Sequence, residues 1–281
     1  MKINELISDI KSNCADSMWG NKICDETTRD KILYGDANQE VKGVVTTLFA
    51  SYEVIKKCGE LGYNFIIVHE ALFYNHGDHT DWLKDNKTFL KKKELLDKYN
   101  ICVWRMHDYI HAGLKMENGY QDGIFYGLAD ILGFKDYIVN DGSCYPNYYK
   151  IPTMPVRELA NHLMKKMNLS HIRFIGDKNT MVSKIYFPMH IMGEIDNSVI
   201  SKVNDEDIDC LITMEMTDFT VNEYIRDSAL IFGNKCILAI GHFNVEEPGM
   251  EYLCRYLAHK YSKIKFKYIQ SGETYSYLIK E

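Results

Sequence analysis

No C-x-x-C pair occurs among the eight cysteines (Cys14, Cys24, Cys58, Cys102, Cys144, Cys210, Cys236 and Cys254), so the sequence suggests neither a zinc knuckle nor a disulfide framework. These scattered thiols are expected to be reduced and mostly buried. No run approaches the ~18 apolar residues that a membrane-spanning helix needs. The opening Met1-Lys2-Ile3-Asn4-Glu5-Leu6-Ile7 alternates charge with apolar residues at helical spacing and lacks a signal peptide's apolar centre. The expected location is therefore the cytoplasm, with no membrane partner. Basic excess is missing too: a net charge of -6 and a pI near 5.9 argue against a binder of nucleic acid polymers, which needs a basic face. The one dense basic run, Lys91-Lys92-Lys93, follows a helical pattern and reads as a solvated helix face. Neither a Gly-x-Ser-x-Gly elbow nor a glycine-rich phosphate loop after a strand is present. A Cys102 and His107 pair is conceivable, but a buried strand cysteine is usually inert.

What remains is ordinary globular composition, 46% hydrophobic and 26% charged over 281 residues, enough for one large or two ordinary domains. From Val41 onward, strand (Gly43 to Thr47), helix (Tyr52 to Leu61), strand (Phe65 to Val68), helix (Lys84 to Tyr99) and strand (Ile101 to Met106) alternate, which implies crossovers and a largely parallel sheet. A helix over Gly123 to Leu132 follows. Residues 140–155 carry Asp-Gly-Ser, three prolines and three tyrosines and read as a linker. A second α/β series runs from the helix Val156 to Met167 through the strands Ile172 to Ile175, Lys184 to Phe187 and Asp209 to Thr213, the helix Asn222 to Ser228, the strand Cys236 to Ile240, the helix Gly249 to Tyr261 and the strand Lys265 to Ile269. The expected architecture is α/β, with two similar lobes of largely parallel sheet facing each other across a cleft. Their expected bounds are 1–139 and 156–281, within one compact unit.

Three apolar segments run straight into a histidine: Phe65-Ile66-Ile67-Val68 into His69-Glu70, Ile101 to Met106 into His107, and Cys236 to Gly241 into His242. In an open α/β sheet, ligands bind beyond the carboxyl ends of the strands, so chemistry is expected at these ends. Proline favours the first helical position, which places a helix start at Pro248, Glu247 at its cap, and His242 and Glu246 on the preceding loop, where imidazole and carboxylate can converge on a cation. Glu70 at a buried strand terminus is costly unless it is paired or bound to metal. His107 and His111 flank Asp108-Tyr109-Ile110; a helix there would face them the same way, whereas an extended segment would turn only one inward. The turn-rich loop Asn75-His76-Gly77-Asp78-His79 could cover the site and supply a general acid, or its histidines could simply be solvated. His190 follows a strand, and its role stays open.

The segment Ile66 to His76, the Trp104 to Ala112 segment and Gly241-His242-Phe243-Asn244-Val245-Glu246-Glu247-Pro248-Gly249 together resemble the NIF-three-like family of dinuclear-metal-centre proteins, often labelled as homologous to a type-2 GTP cyclohydrolase. The match follows the family's order along nearly the whole chain, with Asp209 to Glu215 in place of a second-lobe strand ending in Gly-Glu. The resemblance implies two divalent metals between two α/β lobes in a toroidal hexamer. Carried over residue by residue, His69 takes the first family histidine, and His242 with Glu246 takes the C-terminal His-x-x-x-Glu pair. Glu70 stands where the second histidine of a His-His pair is usual, and the bridging aspartate falls on His111. Similar swaps occur in a subgroup whose motif reads His-Glu-Pro-Thr-Phe-Tyr, although this chain has Ala71-Leu72 at the middle positions. The glycine-rich segment of the second lobe reads Ile185-Tyr186-Phe187-Pro188-Met189-His190-Ile191-Met192-Gly193-Glu194 here, with one glycine.

The implied ligand set is thus His69, Glu70, His111, His242 and Glu246, holding one or two divalent transition metals per chain. Histidine at position 111 favours zinc, iron, nickel or manganese over magnesium or calcium. A metal-dependent hydrolase is the expected function, with Glu70 or Glu246 as proton acceptor and His107 or His76, oriented beside the ligands, returning the proton. The family label implies a small nucleotide-like or heterocyclic substrate, a cyclic amide or amidine, and a homo-oligomer. The rival expectation is a metal-binding regulatory or scaffold protein without turnover; a metal-independent nucleotide-binding module is a third.

Overall fold

The computed structural model describes residues 1–117, 119–142, 145–193 and 195–278, so Cys144 and Glu194 lie outside the described residues. The chain forms two compact units, one of residues 1–127 and 249–281 and the other of residues 128–248. Each is built on a five-stranded sheet.

In the first unit the strand order is Phe266–Tyr268, Val44–Thr47, Phe65–Val68, Cys102–Arg105, Ile32–Tyr34; the first four are parallel and the last is antiparallel. Every residue of Val44–Thr47, Phe65–Val68 and Cys102–Arg105 is buried, so these strands read as continuous apolar runs rather than as alternations. Helix α1 (Ile3–Ser12) buries Ile3, Leu6, Ile7 and Ile10, at helical spacing. Helix α2 (Tyr52–Glu60) starts where the Ser51 hydroxyl accepts from Val54 N–H, and α3 (Lys87–Tyr99) starts where the Asn86 side chain accepts from Phe89 N–H. Both pack on the sheet through Val54, Ile55, Leu95 and Leu96. Helix α4 (Asp108–Ala112) is one short turn and a half, and α5 (Gly123–Leu132) follows.

In the second unit the order is Arg173–Ile175, Cys236–Ala239, Cys210–Thr213, Met181–Tyr186, Tyr148–Pro155. Its three central strands are parallel and both edges are antiparallel. Helix α6 (Val156–Met167) follows Pro155 directly, α7 spans Asp196–Asp205, α8 (Val221–Phe232) opens on a Thr220/Glu223 capping box, and α9 spans His242–Lys260. Val199, Val203, Ile225, Leu211 and Ile237 form the apolar centre.

Four expectations are corrected. The chain does not divide at 140–155: from Tyr148 to Pro155 that stretch is an edge strand of the second sheet, because Pro152 and Pro155, which cannot donate to a ladder, are tolerated at an edge. The C-terminal strand joins the first unit, where Phe266 and Lys267 pair with Val44 and Val45 and cover what would otherwise be an open sheet edge. Helix α9 begins at His242 rather than Pro248, so Glu246 lies one turn beyond His242 and Glu247 is a buried interior residue, not a cap. Finally, Lys91 and Lys93 face solvent, but Lys92 is 2% exposed. Its Nζ donates to the Leu72 carbonyl at 2.6 Å and lies over the rings of Phe49 at 4.3 Å and Tyr74 at 5.2 Å. The cysteine expectation agrees with the structure: the seven described cysteines are free thiols, and all but Cys24 are buried. No described helix is long and apolar enough to cross a membrane.

Burial pushes the Lys92 amine down to about 7. Between that value and its unfolded value the unfolded chain binds more protons, so stability rises with pH across the window, by up to about 1.4 kcal/mol per pH unit. Urea unfolding at pH 7 and pH 9.5 is expected to show wild type gaining stability relative to Lys92→Met as pH rises; an unchanged difference would contradict this. A second expectation concerns the close approach of α9 to α5 inside the first unit. A Cβ on Gly249 would sit 2.5 Å from Ile124 Cα, a backbone atom that cannot step aside. Gly249→Ala should lower stability by about 1–3 kcal/mol despite its better helix propensity, read as a fall in the urea midpoint.

Candidate metal centre

In the first unit the site begins with strand register. Val68 pairs with Arg105 in parallel strands, and Met106 N–H donates to the Val68 carbonyl at 2.8 Å, so the residues that follow leave the sheet together at its carboxyl edge. His69 and Glu70 are held there by their N–H groups, both donating to the Leu48 carbonyl. His107 caps α4, which sets His107 and His111 one turn apart and resolves the choice between helical and extended. The rings of His69 and His107 stack at 4.5 Å, and that of His111 stands edge-on to both at 5.0 and 5.2 Å. One ring nitrogen from each of the three lies within 4.8 Å of the others.

The outer ring nitrogens show which atom each histidine turns inward. His69 Nδ1 lies 3.2 Å from the Met106 carbonyl, which can only accept, so the proton is on Nδ1 and the lone pair on Nε2. His111 Nδ1 meets Asp122 Oδ2 at 2.9 Å, while Asp122 Oδ1 takes the Ile124 and Phe125 N–H groups at the start of α5. His107 Nδ1 meets Asp108 Oδ1 at 2.9 Å, and Asp108 Oδ2 accepts from Thr28 Oγ1 and Arg29 N–H. The Arg29 guanidinium, a donor only, approaches His107 Nε2 at 3.4 Å, as the same tautomer requires. With each Nδ1 held by a carbonyl or carboxylate and one ring nitrogen of each within 4.8 Å of the others, the three histidines form a group that could hold a metal ion, His107 Nε2 also facing the Arg29 guanidinium.

Electrostatics favour the ligating form. Burial, then the neighbouring His107 and His111, pull the His69 imidazole well below its usual range, so it is neutral. His107 is lowered as well, chiefly by burial, with Asp108 opposing. Burial alone would raise Asp108, yet hydrogen bonds from His107, Arg29 N–H and Thr28 hold it well below the usual carboxylate range. Beneath it Asp30 is pushed up to about 6 by burial, although it accepts from the backbone N–H groups of His107 and Asp108.

Arg105 is a residue that the sequence reading passed over. It is fully buried, and its donors reach the His69 carbonyl (3.0 Å), the His76 carbonyl (2.9 Å), Asp78 Oδ2 (3.0 Å) and Glu70 Oε2 (3.3 Å). One guanidinium therefore fastens the whole segment from His69 to Asp78. The Asn75 to His79 loop is further closed by Asn75 Oδ1, which accepts from Gly77 and His79 N–H. His76 is exposed, its Nδ1 3.8 Å from Glu70 Oε2 and its ring 6.5 Å from that of His107. An arginine inside an apolar strand was the available signal, since a buried charge demands partners.

In the second unit, Gly241 adopts φ +96° and turns the chain from the Cys236–Ala239 strand into α9. His242 Nε2 then lies 3.1 Å from Glu246 Oε2 on the same helical face. His190, left open by the sequence, pairs through Nδ1 with Glu215 Oε1 at 2.7 Å, and its ring lies 5.0 Å from that of His242. Burial would raise Glu215, but hydrogen bonds from His190 and Ile191 N–H bring it below its usual value.

Two α/β units carrying histidine and carboxylate groups at strand ends define a class of protein, and sequence comparison supplies the family. The Duf34/NIF3 (NGG1p interacting factor 3) model matches residues 30–274, so the chain belongs to that family. It is 26% identical over 227 residues, covering 77% of this chain and 78% of the relative, to a curated Clostridium perfringens protein called GTP cyclohydrolase 1 type 2 homolog. A Bacillus cereus protein related to NIF3 shares the fold with a TM-score of 0.70 at 16% identity, covering 99% of both chains. A Staphylococcus aureus hypothetical protein does so with a TM-score of 0.69 at 20% identity, also over 99% of both.

Asp122→Asn tests the outer shell. The amide keeps an oxygen for the α5 N–H groups but offers His111 Nδ1 a donor, which favours the wrong tautomer. Zinc affinity, read by competition with a chelating dye, is expected to fall about 10–100-fold, with little change in metal-free stability; equal affinity would remove Asp122 from the site.

Proposed function

We propose that this chain binds divalent transition metal through His69, His107 and His111, and that it is a metal-dependent hydrolase of small nucleotide-like or heterocyclic substrates such as cyclic amides or amidines. The observation that carries the metal reading is the convergence of one ring nitrogen from each of the three histidines within 4.8 Å of the others, with each Nδ1 held by a carbonyl or carboxylate. Three nitrogens favour zinc, iron, nickel or manganese over magnesium or calcium. His242 and Glu246 offer the same chemistry in the second unit. The hydrolase reading and its substrate class rest on the name of the Clostridium perfringens relative and on the resemblance in the sequence.

When bound, such an ion supplies Lewis acidity toward water and a substrate carbonyl or amidine. The protein's own groups supply the rest. Glu70, oriented by Arg105, accepts a proton at Oε2; His76, exposed and adjacent to that oxygen, carries it to or from solvent. The burial of His69 and His111 limits water at the three-histidine cluster. A homo-oligomer, hexameric as the family resemblance implies, is the proposed assembly.

Metal analysis of protein purified without added metal should find bound transition metal, and His69→Ala with His111→Ala should lose the share held by the three-histidine cluster. Turnover of GTP or a cyclic amide should disappear on chelation and return with zinc or manganese, and His76→Ala should lower it about 10²-fold or more, as loss of a positioned proton carrier does. Bound metal without turnover across nucleotides and cyclic amides would instead identify a non-catalytic metal-binding protein.

A further inference from the structure

The second unit repeats the logic of the first with different residues. Its three central strands, Met181–Tyr186, Cys210–Thr213 and Cys236–Ala239, are parallel neighbours, so their carboxyl ends share one edge of the sheet. His190 follows the first, Glu215 lies two residues beyond the second, and His242 follows the third across Gly241. We infer that His190, Glu215 and His242 form a divalent-cation position of the second unit, with Glu246 beside it, and that His190 and Glu215 are ligands in their own right. The inference deepens the metal-binding reading of His242 and Glu246 and does not depend on the three-histidine cluster.

Geometry supports it at each residue. One ligand atom from each of the three lies within 4.8 Å of the other two. Glu215 is preset: Ile191 N–H donates to Oε2 at 3.1 Å, while Oε1 and His190 Nδ1 are held side by side by a 2.7 Å hydrogen bond. His242 Nε2 is 3.1 Å from Glu246 Oε2, which brings a second carboxylate oxygen to the same imidazole. Imidazole and carboxylate bind metal in their deprotonated forms, so the cation competes with protons for these ligands. Two imidazoles and a carboxylate select borderline transition metals over calcium or magnesium. The side chain of His190 is 54% exposed and that of Glu215 10%, so the position is open to solvent on the His190 side and keeps room for water or a substrate oxygen on the ion.

Cobalt(II) titration of the full metal-stripped chain, followed by visible absorption, tests this. Wild type should take up one equivalent more than His190→Ala, whose exposed side chain can be removed without disturbing the fold. In a His69→Ala/His111→Ala background, cobalt binding should persist and then weaken at least tenfold on adding His190→Ala or Glu215→Gln. Unchanged stoichiometry and spectrum in His190→Ala would overturn the inference, as would a folded His69→Ala/His111→Ala protein that binds no cobalt. Should that double variant bind as wild type does while His190→Ala loses an equivalent, the three-histidine reading falls and this one stands.

Discussion

A guanidinium with no exposed surface sits at the end of a buried strand, and the first unit's site depends on it. Arg105 is surrounded by the Phe65–Val68 strand and the loop that follows, and a charge there is tolerated only because carbonyls and carboxylates meet its donors. Those acceptors belong to His69, Glu70, His76 and Asp78, so satisfying the charge and shaping the loop are one event. The loop that could have been a mobile cover is instead tethered at both ends of its functional stretch. Lys92 adds a second tether through the Leu72 carbonyl.

A similar economy governs the histidines. Burial disfavours the charged forms of His69 and His107, and the Nδ1 of each of the three is held by a carbonyl or carboxylate, which selects the tautomer. Asp122 both orients His111 and starts α5; Asp108 both orients His107 and fastens Thr28 and Arg29. Each outer-shell carboxylate thus couples the site to the beginning of a neighbouring segment. Disturbing the site and disturbing local folding are linked for this reason.

The strands were legible because they are apolar on both faces and end in recognisable residues. Phe65–Val68 lies where the sequence places it, and Cys102–Arg105 and Cys236–Ala239 fall within a residue or two of expectation. His69, His111, His242 and Glu246 were marked by those endings, and the order of elements together with the motifs carried the family. The misplaced helix start at Pro248 has a definite cause: proline prefers the first turn, but Gly241 with its positive φ had already turned the chain, and α9 accommodates Pro248 in its interior. Lys92 was misread because three consecutive lysines on a helix look alike until the helix is docked against Phe49 and Tyr74.

By itself, then, the sequence determined the α/β class and the strand ends that carry histidine and carboxylate groups, since these follow from local hydrophobic patterning and residue type. Pairing partners are not local. Only tertiary structure decided that the last strand returns to the first sheet, that Arg105 clamps the segment after His69, that His107 joins His69 and His111, and that His190 meets Glu215. Each is a contact between residues far apart in the chain, settled by which buried polar groups and sheet edges find satisfaction in the folded state.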